Sequence, residues 1–544
     1  MPNKKIVSLA IFILTLGFYI YTLAPSLAWG DGTKLQGDAV AGESFILAEM
    51  PKGQFNPDPY IYSRVGVAAW DHPLYIILGN LLVRSFPLAD PLWLINFFSA
   101  LFGAASITLV FLLCYRYTNS FIASTFASLS LAVSHTFWWH SSSPEVYTLF
   151  AFLLLMSLYF YEHFEDTGKN SFLVYSAFFL GLAASNHLMA FLAFFALAFY
   201  LFLSGSLKQI SISKFRSLLF PLLGFILGFM VYIIQFIRVW RSIPLSGLLG
   251  PVVGTAFVSN LKFTPAALGI SLVSYFFFLL AQFGLVGIIF GGLGFRQAFR
   301  SDDLRVRKVI AFWIVYTIFG ILYMVTDQFA FFLSSHVFWA ILMGIGSDYA
   351  LGLLPPKKRI LPWGILAALL VATPFFYNAA PTLLENNGIN DDSIGIPKVG
   401  IGVRDGLAYY LNPYKRGDFN AYNFGYSTIT SLEPNSVVIA EWYTDTDEYF
   451  VLRYFSKVRG VRSDVSVLGW PTQDPAAFDN QDVLNVIEES MPDHPVYLAS
   501  LSDRFYAASK LLEIYCIVPE NNLYRIHPKA DGGFPCLGQD AVTE

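Results

Sequence analysis

The residues that invite chemistry lie just beyond the first long apolar run. In Thr22 to Val40, TLAPSLAWGDGTKLQGDAV, the carboxylates of Asp31 and Asp38 appear as soon as that run ends, and Glu43 follows. An ionisable group at a membrane boundary is costly to keep dry, so a carboxylate there is either plainly solvated or held for a purpose. Titratable residues then return between later apolar runs: His72, Trp138-Trp139-His140 with Pro144-Glu145, Asn186-His187, Arg238 and Arg241, and Asp327. Imidazoles and carboxylates move protons and position hydroxyls, and guanidinium groups offset negative charge. Each also has a plainer reading. Asp31 reads as a solvated loop acid, His140 and His187 as interfacial histidines, Arg238 and Arg241 as snorkelling anchors, and Glu145 as a helix-dipole acid.

The composition says what must position them. Of 544 residues, 55% are hydrophobic, 17% aromatic and only 13% charged, against about 25% charged in an ordinary soluble domain. This is the composition of a polytopic membrane protein. The net charge is −4 with scattered basic residues, so no nucleic-acid surface is indicated. Apolar runs long enough to span are read at Ile6–Leu23 and at about 92–116, 120–137, 146–162, 172–186, 188–204, 217–237, 268–293, 309–326, 329–353 and 360–378, about eleven in all. The first is read as a span, not a cleaved leader, because no small-residue cleavage site follows it.

The stretch 171–203 decides the threading. Read as two spans joined at Ser185-Asn186-His187, with the N-terminus cytoplasmic, it places the clusters Lys208/Lys214/Arg216, Arg296–Lys308 and Lys357–Arg359 all inside, as the positive-inside rule asks. The same threading sends outside the long first loop (24–91), the turns at 138–145 and 186–187, Arg238, Arg241, Asp327 and everything after 378. In the first loop, Leu74 to Phe86 is too short to span and reads as an interfacial helix. The tryptophans at 138–139 read as an aromatic belt.

Beyond the last span, 379–400 reads as a linker. Strands are expected at 436–441, 464–468, 495–499, 513–518 and 522–527, with helices at 447–458 and 503–512, a small extracytoplasmic α/β domain without a phosphate loop. Cys516 and Cys536 are either a disulfide or two unrelated thiols. With no Cys/His cluster a structural zinc site is not expected, and Asp445 and Asp447 read as loop residues.

Together Trp29-Gly30-Asp31-Gly32, His72-Pro73-Leu74-Tyr75, SerHisThrPheTrpTrp at 134–139 with Pro144-Glu145-Val146-Tyr147, and GlyLeuAlaAlaSerAsnHis at 181–187 resemble the domain-of-unknown-function 2723 family. That family is similar to the protein O-mannosyltransferases of the GT-C class of membrane glycosyltransferases. The resemblance covers roughly residues 10 to 200 and recurs at 441–467. It departs at Lys34, where the family carries an acid, leaving Asp38 or Glu43 as substitutes.

The resemblance implies a GT-C-like bundle that moves a sugar from a polyprenyl-phosphate donor to a protein, lipid or glycan acceptor, with inversion. Asp31 would then be the base. His72, His140 and His187 would hydrogen-bond the phosphate or position the acceptor, Glu145 would hold a sugar hydroxyl, and Arg238 or Arg241 would offset charge on the leaving group. No cofactor is indicated, and dependence on a divalent metal is open. A transporter predicts acids in mid-span and repeated halves, which the charge pattern lacks; a non-catalytic scaffold remains an alternative because of Lys34.

Overall fold

The computed structural model describes residues 3–44, 67, 69, 72–205, 219–240, 258, 260–325, 327–355, 361–390, 393, 406–441, 448–470, 480–529 and 535–542. Its first part is a helical bundle. Five described helices are long and apolar enough to cross a membrane: Lys4–Thr22, Pro91–Thr118, Tyr147–Thr167, Leu219–Arg238 and Pro265–Arg300. Between and beside them run Phe121–Ala132, Asn170–Asn186, Leu192–Leu203, Arg307–Leu322, Leu333–Gly352 and Leu361–Glu385.

Local chemistry explains where several begin. Asn3, Asp90, Ser120 and Thr264 each accept a first-turn backbone N–H, which satisfies a donor that the helix leaves orphaned. Small residues then let helices approach: a Cβ at Gly181 or Gly228 would strike the facing backbone of the Leu219–Trp240 or Asn170–Asn186 helix.

The two ends of the bundle are unlike. At the end of Tyr147–Thr167 an ion network, buried at Lys308 and Glu162, joins three helices and the turn Leu304–Val306. Lys308 Nζ lies 2.7 Å from Glu162, both fully buried, and also pairs with Glu165; Arg116 Nε is 3.0 Å from Glu162, and Arg305 binds Asp166 at 2.7 Å. Tyr117 Oη donates to Glu162 at 2.6 Å. The helix starts at Tyr147, so Glu162 to Asp166 lie about 22–28 Å from its start, most of a bilayer core away. The candidate catalytic residues cluster at that start.

The last part is an α/β unit. Its mixed sheet has the order β2-β1-β3-β5-β4, where β1 is Val437–Glu441, β2 Ser466–Trp470, β3 Val496–Leu498, β4 Tyr515–Glu520 and β5 Leu523–Pro528. β1 runs parallel to β2 and β3, and β5 antiparallel to β3 and β4. Cys516 and Cys536 form a disulfide with Cα atoms 5.0 Å apart. One face of this unit shares its core with the bundle: Leu27, Trp29, Leu92 and Trp139 pack with Tyr409, Phe424, Val438 and Tyr449.

Three expectations are corrected here. The span read at 120–137 ends at Ala132, and Trp138-Trp139-His140 lies on a second short helix, His135–Ser142, not in a turn. The two tryptophans are buried and form no lipid-facing belt: Trp138 donates to Thr22 Oγ1 at 2.8 Å and Trp139 to the Tyr409 carbonyl at 3.2 Å. The linker read from 379 begins later, since the last bundle helix continues to Glu385.

Candidate active site

Asp31 opens the helix Asp31–Ala41, exposed in its first turn. Gly30 turns the chain into that helix with φ 73° and ψ −155°, a region open almost only to glycine. Gln36 braces it, taking the Ala28 N–H at 3.0 Å and donating to Asn96 Oδ1 at 2.8 Å. Gly32 sets how near the helix comes to the next loop: a Cβ there would lie 3.0 Å from Ala28 Cβ and 3.1 Å from Pro144 Cγ. Its lack of a side chain seats the start of the helix against Pro144-Glu145.

That loop is bolted in place by hydrogen bonds. The Glu145 N–H donates to Ser99 Oγ at 3.1 Å, and Tyr75 Oη is 3.1 Å from the same hydroxyl. The Val146 carbonyl accepts from Asn186 Nδ2 at 3.0 Å, and the Asn186 carbonyl from His72 Nδ1 at 2.8 Å. The Glu145 side chain is half-buried by area but enclosed by protein. Desolvation, and then the charges of Asp31 and Asp327, hold its carboxyl well above the usual range. Three carboxylates from distant parts of the chain therefore share one electrostatic neighbourhood.

Imidazoles and aromatic rings form the adjoining wall. His72 and His187 stack with ring centroids 5.1 Å apart, and Tyr147 lies 5.6 Å from His187 and 5.0 Å from His140. Phe329 reaches His140 at 5.5 Å and Phe331 reaches Tyr147 at 5.8 Å. Both phenylalanines lie on the single turn Gln328–Phe331 that follows Asp327, so carboxylate and rings arrive together. His72 precedes Pro73 yet adopts φ 53° and ψ 54°, a left-handed conformation that its surroundings must enforce. Burial pushes the His140 imidazole down to about 3, and burial followed by the neighbouring His72 takes His187 well below the ordinary value.

The structure thus brings together Asp31, His72, His140, Glu145, His187 and Asp327. Arg238 is exposed, with its guanidinium 3.4 Å from Gln235 on its own helix. Arg241, Asp445 and Asp447 lie outside the described residues. Asp38 is fully buried with its carboxylate 3.2 Å from Lys34 Nζ, so it holds a cation and is a poor stand-in for a missing base. Glu43 is exposed beyond the helix end.

Ser99, Tyr75, Tyr147 and Asn186 were not among the candidates. Tyr75, Tyr147 and Asn186 fall inside the quoted motifs and so were within reach; Ser99, inside an apolar run, carried no signal. Among the described residues no group of three or more His, Cys, Asp or Glu side chains is arranged to hold a metal ion.

Residues 71–211 match the family model described as the protein O-mannosyl-transferase TMEM260 N-terminal domain. The protein O-mannosyl-transferase TMEM260 of Mus musculus is 25% identical over 183 residues, 33% of this chain and 23% of that protein's length. The crystal structure of ArnT from Cupriavidus metallidurans bound to undecaprenyl phosphate superposes with a TM-score of 0.58 at 14% identity, covering 96% of this chain and 97% of that one. The apo form of the same enzyme gives 0.58 at 13% identity, with 95% and 97% covered. The chain is accordingly a membrane protein that shares the fold of ArnT, and its N-terminal part is similar to the TMEM260 protein O-mannosyl-transferases.

Proposed function

We propose that the chain transfers a sugar, mannose by its resemblance to the protein O-mannosyl-transferases, from a polyprenyl-phosphate donor to a hydroxyl of an extracytoplasmic acceptor. The observation that carries this reading is the meeting of Asp31, Glu145 and Asp327 with three histidines at one end of an apolar bundle. An ArnT crystallised with undecaprenyl phosphate shares the fold, which supports a lipid-linked donor.

In this reading Asp31 takes the proton of the acceptor hydroxyl as its oxygen attacks the anomeric carbon from the face opposite the phosphate, giving inversion. Desolvation holds the Glu145 carboxyl well above the usual range, so it keeps its proton and donates a hydrogen bond to a sugar oxygen. The histidine and tyrosine wall positions hydroxyls and phosphate and excludes water from the reacting carbon. The N-terminus is cytoplasmic, the active end faces outward, and the α/β unit covers it. Arg238 or Arg241 offsets the charge that grows on the leaving phosphate. A transporter is disfavoured, since among the described residues the paired buried charges lie toward the two ends of the bundle, Glu162 with Lys308 and Arg116 at one and Asp38 with Lys34 at the other.

Purified protein incubated with a panel of polyprenyl-phosphate sugars should release sugar or transfer it to an added acceptor. No turnover with any donor, in a preparation that is folded and binds polyprenyl phosphate, would overturn the enzyme reading in favour of a scaffold.

A further inference from the structure

The three histidines of the candidate site are not equivalent, because each has one ring nitrogen committed to the backbone. His140 Nδ1 lies 2.6 Å from the Thr136 carbonyl and His72 Nδ1 lies 2.8 Å from the Asn186 carbonyl. A carbonyl only accepts, so in both rings Nδ1 carries the proton, and in the neutral form Nε2 is an acceptor. His187 is the reverse. It caps the turn Leu188–Phe191, its Nδ1 accepting the Met189 N–H at 3.1 Å. Its Nδ1 lone pair is used, and the proton of the neutral ring sits on Nε2.

The surroundings of that N–H suit an anion arriving from the lipid. The His187 ring lies against Tyr147, Phe150 and Phe331, at 5.6, 5.8 and 6.3 Å, and against His72. Asp31 and Asp327 act on Glu145 and Tyr147, whereas among the described residues the ionisable neighbour that acts on His187 is another imidazole, His72. One turn further on, Phe191, Phe194 and Phe195 are exposed on the apolar outside of the bundle. His187 therefore stands between the hydrocarbon-facing surface and the carboxylates, on the side where a lipid's headgroup would enter.

We propose that His187, through Nε2–H, donates a hydrogen bond to a non-bridging oxygen of the donor's phosphate, while the Nε2 atoms of His140 and His72 serve hydroxyl groups instead. This assignment rests on the lipid-phosphate donor proposed above. It divides labour among like residues by tautomer: the phosphate has only acceptor oxygens and takes the single imidazole that offers a proton, and hydroxyls can donate to the two that do not.

The test is binding of undecaprenyl phosphate, without sugar, to the full chain in detergent or nanodiscs, read by thermal stabilisation and titration. In His187→Asn the shorter amide reproduces the Nδ1 cap but not the reach of Nε2–H; in His187→Gln the amide nitrogen reproduces Nε2–H. Loss of one hydrogen bond to a charged group is worth about 1.5–3 kcal/mol, roughly 10- to 150-fold in affinity. We expect a loss in that range for His187→Asn, near-native binding for His187→Gln, and retained binding for His140→Asn. His187→Asn binding as tightly as the wild type, or His140→Asn losing as much, overturns the assignment. If the wild type itself fails to bind undecaprenyl phosphate, the lipid-phosphate donor is wrong and the His187 role falls with it.

Discussion

Gly32 and Pro144 are in such close contact that a methyl group on Gly32 would sit 3.1 Å from Pro144 Cγ and 3.4 Å from the Pro144 carbonyl. This contact brings the start of the Asp31 helix to the Glu145 loop. In Gly32→Ala the better helix former gains up to about 1 kcal/mol of propensity, yet the helix must move by a few tenths of an ångström from Pro144. We expect thermal stability close to the wild type and turnover reduced at least about tenfold, since small displacements of catalytic groups are expensive. Melting and kinetic measurements on one preparation separate the two effects.

Asp31→Asn keeps the shape of the side chain and removes its capacity to take a proton. Turnover should fall by about 10²–10⁴ with little change in undecaprenyl phosphate binding. Glu43→Gln, in the same loop and exposed, should be neutral. Full activity in Asp31→Asn would show that the base lies elsewhere.

Asp38→Asn separates pairing from catalysis. It leaves the ammonium of Lys34 beside a neutral amide in a buried setting, which should cost about 1–3 kcal/mol of stability. Turnover per folded molecule should then change less than in Asp31→Asn. Denaturation midpoints alongside specific activity check this, and a stable but inactive Asp38→Asn would return Asp38 to the list of bases.

Glu145 predicts a pH signature. Its folded pKa lies well above the ordinary 4.5, so over the interval between those values the folded state binds more protons than the unfolded one. Stability is then fully present below about pH 4.5 and is lost as pH rises through the folded value. Glu145→Gln removes that titration. Melting temperatures of the two proteins should diverge as pH increases from about 4.5 to 8, the variant becoming the relatively more stable. Parallel curves would contradict the enclosed carboxyl.

The far end of the bundle predicts stability without function. Lys308→Met removes one of the two cations that hold fully buried Glu162, leaving Arg116 and Tyr117, so it should cost stability, by less than the about 3–5 kcal/mol of a buried charge left with no partner. Undecaprenyl phosphate affinity of the molecules that remain folded should be unchanged, because the site is a helix length away. Fractional unfolding and ligand titration measured together decide it.

Labelling tests the orientation. With an impermeant maleimide on intact cells, Asn387→Cys should react, and Lys169→Cys should react only after permeabilisation. The native free thiol, Cys114, is buried and gives no background. The opposite pattern would invert the threading.

Hydropathy is a local property, and the positions of the bundle helices, the break at Asn186-His187 and the strands of the α/β unit were legible from runs of apolar side chains and their period. The clustering of Asp31, His72, Glu145 and His187 near one face followed from counting such runs. The helix at Asp31–Ala41 was not legible, because Gly32 and Gly37 argue against a helix and its residues show no apolar stripe. Packing against the Pro144 loop and the Gln36–Asn96 bridge overrides that propensity. Nor does sequence show that Lys34 spends its charge on Asp38, that Trp139 is buried under Tyr409 and Tyr410, or which nitrogen of each histidine carries the proton. Those depend on which backbone groups lie within 3 Å of a side chain, and residues far apart in sequence are brought that close only when the helices have packed.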